Sequence, residues 1–510
     1  MRNPLVQLLA LLLALSLVAA GCSDRKSDTS HAAAAVRTLH VYRSESFDGW
    51  VLDSAAAYAS YQTHAAVLEP LVRFAADGIH VEPGLAESWT YNADTCTWTF
   101  LLRANAKFSN GAPVSSQDVL FSFGIWSKGV NFGRSFDRIS ELVAVDARTV
   151  RFVMKSPDST LPATLSGSIA GIMPANFGGM IRDRYYAAPI GAGPYTVRKW
   201  SGGGRIVLSR NQHYYAADRP YFDEVIIDVV PDDNELAILF ESGQADIVEY
   251  VSAIMAGQYR KSALVLTPTS QVSHLSLNVR APPFDDLKVR RAVAMALDYD
   301  AIVNGPFKGA AHSPSGFLTP NIANWAPPSA RYHVTDLAGA KALLQGSSPG
   351  TRRPLELIYD AAIGADGLVA QIVSANLARI GIDVKLTGLE TLAFVDRAYS
   401  LSADMIVWSY GAVSPDLADP LAWIDGTGYL FTGYDRSHFD EQHKTYLSTT
   451  SAALKHSAVV AMQDEALAQA AVIALAEYST IHAVAANLRG FAPAPWGLYY
   501  YDTIRRGGGL

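Results

Sequence analysis

Few side chains in this sequence are spaced for covalent or metal chemistry. Its two cysteines are Cys22 and Cys96, and their surroundings differ so much that a disulfide between them is not expected. Cys96 sits in a strand-like alternation and reads as a buried, inert thiol. His438 and His443 stand five positions apart, a poor spacing for one helix face. They read as solvated surface histidines, and no metal is expected. A Gly-x-x-x-x-Gly-Lys-Ser/Thr loop and a His-Glu-x-x-His pair are both missing, so neither ATP hydrolysis nor zinc proteolysis has its usual carrier. Nothing favours a scattered catalytic constellation, and the chain reads as a binding protein with no cofactor, not as an enzyme.

What must position a binding site is a large globular body. The 510 residues are 49% hydrophobic and 17% charged, which excludes a disulfide-stapled miniature, a coiled coil and a disordered chain. The net charge is −7 and no stretch gathers a dense Lys/Arg run, so nucleic acid is not an expected partner. At the N-terminus, Arg2 precedes an apolar stretch, Leu8 to Ala20, that falls within the roughly 7–15 residues of a signal-peptide core. It leads into Leu17-Val18-Ala19-Ala20-Gly21-Cys22, which resembles the lipobox of a bacterial lipoprotein. That resemblance implies a signal peptide over 1–21, lipidation of Cys22 and a body held at a membrane surface by lipid alone, while 22–36, polar and then alanine-rich, reads as a tether.

Strands and helices alternate in the body. Thr97–Arg103 reads as a strand, and Ser115-Ser116-Gln117-Asp118 places a hydroxyl three residues before an acid, a helix start. Arg205–Leu208, Val225–Val230 and Ala245–Val248 read as strands, with a helix capped by Asn234 and closed by Gly243 between the last two. Val369, Ile372, Val373, Asn376, Leu377 and Ile380 follow helical spacing up to Gly381, between strands at Leu355–Tyr359 and Ile382–Leu386. Asp404–Trp408 is a further strand. This alternation predicts α/β sheets of parallel or mixed strands.

An ordered series of motifs carries a family resemblance. It runs through Glu69-Pro70-Leu71-Val72-Arg73, Pro83-Gly84-Leu85-Ala86-Glu87-Ser88-Trp89, Lys107-Phe108-Ser109-Asn110-Gly111, Gly191-Ala192-Gly193-Pro194-Tyr195, Gly243-Gln244-Ala245-Asp246-Ile247 and Val289-Arg290-Arg291-Ala292. The series resembles the extracellular solute-binding proteins of family 5, the dipeptide, oligopeptide and nickel receptors of ABC importers, over about residues 37–490. Most of these residues read as structural. Gly84, Gly111 and Gly193 suit turns with positive φ, Trp89 and Trp98 suit the core, and Asp285 or Asp286 suits a helix cap.

The resemblance implies a bilobal periplasmic-binding-protein clamp of type II, cluster C. Lobe I would comprise 37–60, 188–274 and 485–510, an inserted domain 61–187, and lobe II 275–484. It implies a monomer on the extracytoplasmic or periplasmic face that captures a peptide or peptide-like solute by lobe closure and hands it to permease subunits served by separate ATPases. A sensory binding protein, or a receptor for an opine, oligosaccharide or metal chelate, remains open. In such a clamp the ligand meets loops beyond the carboxyl ends of strands, here Arg43–Trp50, Asp360–Gly367 and Ser409–Asp419. The candidate binding residues are Trp408 and Tyr410 for stacking, Gly411, Asp416 and Asp360 for polar contacts, and Ser46. Peptide receptors of the family commonly place an aspartate where Gly411 stands, and dipeptide types place an arginine in the loop equivalent to 360–367, which here has none. The expectation is therefore weak binding of simple dipeptides.

Overall fold

Two strands far longer than the rest, Leu264–Leu277 and Val472–Val484, run antiparallel through the middle of the fold. The computed structural model describes residues 36–52, 58–129, 133–200, 202, 204–330, 334–345, 353–412, 414–418, 420–421 and 428–507. Cys22, the apolar leader and Asp419 lie outside the described residues. On one side the long pair continues through Ile247–Val248, Thr38–Arg43, Glu224–Val229, Ile206–Arg210 and Tyr195–Trp200. On the other it continues through Met405–Tyr410, Leu355–Asp360 and Val384–Leu389. Each side contains parallel pairs, Thr38–Arg43 with Glu224–Val229 and Leu355–Asp360 with Val384–Leu389. The result is a mixed α/β bilobal clamp joined by the two long strands. Within the stretch read as an inserted domain, a separate antiparallel sheet orders Ala86–Asn92, Thr97–Leu102, Thr149–Met154 and Ile139–Ala144.

Period-two alternation assigns each side chain of Met405–Tyr410 to a face. Met405 and Val407 pack into one apolar cluster with Val369 and Val373 of helix Gly364–Ala378. Ile406 and Trp408 pack into another with Phe439 and Tyr446. The helix forms because Val369, Val373 and Leu377 share one buried face, and Gly381, at φ 82°, lets the chain leave it for the next strand. At the predicted helix start, the Asp118 carboxylate accepts from the Ser115 N–H and hydroxyl, both at 2.7 Å. Asp286 caps helix Leu287–Ala296 by accepting from the Lys288 N–H.

Several local readings change. The helix expected to be capped by Asn234 starts two residues earlier, because the Asp232 carboxylate accepts from the N–H groups of Asn234 and Glu235. Cys96 occupies a turn at φ 50° and is half-buried, since strand Thr97–Leu102 begins only after it. His443 is buried, on the inner face of helix Ser437–Ser448, not solvated. Gly111 has the expected positive φ, but Gly84 and Gly193 do not. Their glycines are required by close approach, since a Cβ would sit 2.7 Å from the Pro70 carbonyl oxygen at Gly84 and from the Val67 carbonyl at Gly193.

Candidate functional site

The ladder between the two long strands breaks where they cross from one side of the clamp to the other. Pro268 faces Ser479, and pairing resumes only at Val272 with Glu477. Proline has no N–H to donate, and the residues between bulge out of the sheet. Their backbone groups find partners from both sides. The Ser270 N–H donates to the Pro495 carbonyl at 2.6 Å, and the Asn321 amide donates to the Thr269 carbonyl at 2.9 Å.

Beside this break lies a chamber of about 380 Å³, lined by Glu45, Tyr250, Thr269, Gln271, Thr480 and Trp496 together with Pro495 and Gly497. Its size is that of a small-molecule site. Three loops form its wall, and a buried network holds them. Arg43, at the end of the first strand, pairs with Glu249 at 3.3 Å and donates to the Thr63 hydroxyl at 3.0 Å. Tyr501 donates to the same Glu249 at 3.0 Å. The Gln62 amide accepts from the Tyr499 N–H at 2.9 Å and donates back to the Tyr499 carbonyl. Tyr250 donates to the Gly497 carbonyl at 3.1 Å. Thr480 and Trp496 line the chamber as residues, and the Thr480 hydroxyl oxygen and the Trp496 indole nitrogen are buried without a protein partner.

The sequence candidates fall elsewhere. Trp408 and Tyr410 come together, ring centres 6.5 Å apart, but they line a narrow apolar recess of about 20 Å³ with Val272, His274, Phe317 and Leu417. Trp408 is only 5% exposed. Its indole N–H donates to the Ser276 hydroxyl at 2.9 Å, and its ring stacks on His274 and meets Phe431 edge-on. Burial pushes His274 down to about 4, so the imidazole beside Trp408 is neutral. Gly411 follows the strand end and is half-buried.

Asp416 is buried inside the second lobe. One of its oxygens accepts from the Tyr446 hydroxyl at 2.7 Å and the Ala418 N–H at 2.9 Å, and the other from the Asn324 amide at 3.0 Å. Those contacts are the turn-capping role that its type also allows. Asp360 is buried too and turns back to the Ala362 N–H at 2.9 Å. Ser46 is exposed, and its neighbour Glu45 is the residue of that loop that reaches the chamber.

Behind Asp360, on the face opposite Trp408, Asp366 is fully buried in the first turn of helix Gly364–Ala378. Ser409 donates to one of its oxygens at 3.2 Å and takes a 2.7 Å hydrogen bond from Tyr478, while the other oxygen has no partner. Burial pushes the Asp366 carboxyl up to about 7, with Asp360 adding to the rise and Ser409 opposing it.

Sequence reasoning reached the loop of Glu45 but not the residue, and it missed Tyr250, Thr480 and Trp496. No local motif marks these three, because the crossing of the long strands and the return of the C-terminal segment bring them together. Among the described residues no group of three or more potential metal ligands occurs. No described helix is long and apolar enough to cross a membrane.

Comparison with known proteins places this architecture. The family described as bacterial extracellular solute-binding proteins, family 5 Middle, matches residues 80–429. The protein named "Probable D,D-dipeptide-binding periplasmic protein DdpA" of Escherichia coli K12 is 27% identical over 421 residues, covering 78% of this chain and 79% of its own. The dipeptide-binding protein of the same organism is 25% identical over 480 residues, covering 85% and 88%. Among solved structures, the binding protein AgaA of A. tumefaciens R10, in complex with agropinic acid, superposes with a TM-score of 0.77 at 25% identity, covering 93% of this chain and 99% of its own.

Proposed function

The chain belongs to the bacterial extracellular solute-binding proteins of family 5, and from that membership we propose that it captures a peptide or peptide-like solute by lobe closure and delivers it to a membrane permease. Members of this family are transport receptors for ABC importers and not enzymes. The observation that carries the proposal is the chamber of about 380 Å³ at the crossing of the two long strands. A hinge there would open or close the chamber, with the contacts of Ser159 to the Leu447 and Thr449 carbonyls across the lobes breaking as it opens. We propose lobe I over 37–60, 188–274 and 485–510, the inserted domain over 61–187 and lobe II over 275–484, with the ladder break at 268–272 opposite 477–479 close to the first boundary. Lipidation of Cys22 would hold the protein at the extracytoplasmic face of a membrane.

A thermal-shift screen over di- and oligopeptides, opines, oligosaccharides and nickel chelates tests the ligand class. A true ligand at 100 times its Kd adds about 2.7 kcal/mol. Ordinary dipeptides such as Ala-Ala are expected to bind weakly, because an enclosed carboxylate without a cation costs several kcal/mol, set against about −8 kcal/mol for micromolar binding. Sub-micromolar calorimetric binding of Ala-Ala would overturn that expectation, and no stabilisation by any peptide would overturn the peptide reading. A non-peptide solute is the second reading, favoured by the likeness to AgaA, whose structure holds agropinic acid. Cys22→Ser should release the protein from membranes or block its processing. If the wild type takes up no labelled palmitate in a bacterial host, the anchor is wrong.

A further inference from the structure

The loop over 155–160, between strand Thr149–Met154 and helix Leu161–Thr164, brings the inserted domain against the second lobe. There the Ser159 N–H donates to the Leu447 carbonyl at 2.9 Å, and the Ser159 hydroxyl donates to the Thr449 carbonyl at 2.8 Å. Both acceptors lie at the carboxyl end of helix Ser437–Ser448. The last carbonyls of a helix have no partner within it and carry the negative end of its dipole, so two donors are favoured there. One serine thus caps a helix of the opposing lobe. The loop that presents it is fixed from behind. The buried Asp158 carboxylate accepts from the Thr160 N–H at 2.8 Å, from the Thr160 hydroxyl at 2.7 Å and from Arg138, and the Asp158 carbonyl accepts from the Trp98 indole N–H at 2.8 Å.

We propose, resting on the receptor reading and the lobe assignment above, that Ser159 is a positioning residue for solute capture: it latches the inserted domain to the second lobe and sets the balance between closed and open clamp. Ser159 is not among the residues that line the chamber, so it acts on closure and not on the solute. Its two bonds are replaced by water when the lobes part, and each therefore shifts the closed-to-open ratio only about 2–10-fold. A latch of that strength biases closure and still lets the clamp reopen. The nearby charges tolerate the contact. Burial raises the Asp416 carboxyl, Lys455 opposes that rise and Asp158 adds to it from across the contact. Each acid has a cation on its own side, Arg138 for Asp158 and Lys455 for Asp416, so closure does not bring two uncompensated carboxylates together.

Small-angle X-ray scattering from the ligand-free full-length protein tests this. Ser159→Ala keeps the N–H contact and loses that of the hydroxyl, and it should move the closed-to-open ratio about 2–10-fold toward open, read as a larger radius of gyration. Ser159→Asp sets a carboxylate against the carbonyl end of the helix and should expand the molecule further. Ser140→Ala removes a like bond within the inserted domain, from the Ser140 hydroxyl to the Val153 carbonyl, and should leave the radius of gyration at the wild-type value. Both Ser159 variants should melt close to the wild type, since the bonds of Asp158 that fix the loop remain. If Ser159→Asp fails to fold by circular dichroism, the comparison of Ser159→Ala with Ser140→Ala decides by the same criterion. An unchanged radius of gyration in the Ser159 variants, or an equal rise in Ser140→Ala, would overturn the latch while the receptor reading stands. Failure of every solute in the thermal-shift screen would remove the receptor reading, and the scattering comparison would still decide whether Ser159 holds the lobes together.

Discussion

Two faces of one short strand, Met405–Tyr410, meet opposite fates at its carboxyl end. Trp408 turns to a dry face against His274 and Phe431, with its one polar atom matched to Ser276. Ser409, the next residue, turns to the other face and joins Asp366 and Tyr478 in a polar cluster that leaves one carboxylate oxygen unpartnered. The comparison shows how burial acts on different groups. It rewards the indole through lost water contact, and on Asp366 it acts as a penalty on charge that shifts a proton instead.

The sharpest way to break the comparison is Trp408→Ala. With the ring enclosed on both sides, the loss should be about 3–5 kcal/mol in urea unfolding. A much smaller loss would mean that the ring belongs to the solute's wall and not to the core, and ligand affinity should then fall instead.

Asp366→Asn comes next. The folded chain holds this carboxyl protonated up to about pH 7, while an unfolded aspartate ionises near its ordinary value of about 4. Between those values the folded state binds the extra proton, so the wild type should lose stability as pH rises from about 4 to about 7. A carboxamide cannot ionise, so this substitution should remove that slope and leave the variant about 2–4 kcal/mol more stable than the wild type at pH 8. Parallel stability curves for the two proteins would show that Asp366 is ionised and solvated in the folded chain.

The smallest effect is expected from Ser409→Ala. It removes the hydroxyl between Asp366 and Tyr478 and should cost about 1 kcal/mol at low pH. Because that hydroxyl favours the ionised carboxylate, the pH slope should move upward in the variant, and a downward movement would contradict the geometry.

Much of this molecule was legible in the residues themselves. Helix Gly364–Ala378 follows from the spacing of Val369, Val373 and Leu377 and the stop at Gly381, and strand Leu355–Asp360 was legible but for its last residue. The capping acid at Asp118 and the ordered family motifs are likewise local signals. Chemistry restricted to neighbours in sequence was enough to reach the α/β class and the family. The cap before helix Asp233–Glu241 was misplaced because two acids and an amide in succession all suit the position, and only backbone geometry selects Asp232.

The site is another matter. Trp408 and Asp416 have the residue types of ligand contacts, and packing occupies both: Trp408 against His274 and Phe431, Asp416 by Tyr446 and Asn324. Glu45, Thr480 and Trp496 come from widely separated parts of the chain and meet only because the C-terminal segment returns beside the break in the two long strands. The sequence by itself determined which segments form strands and helices, and which family they build, since those depend on periodicity and close neighbours. Whether a given aromatic or carboxylate faces solute or core was decided by tertiary structure alone, because a single residue's burial depends on what the distant chain brings against it.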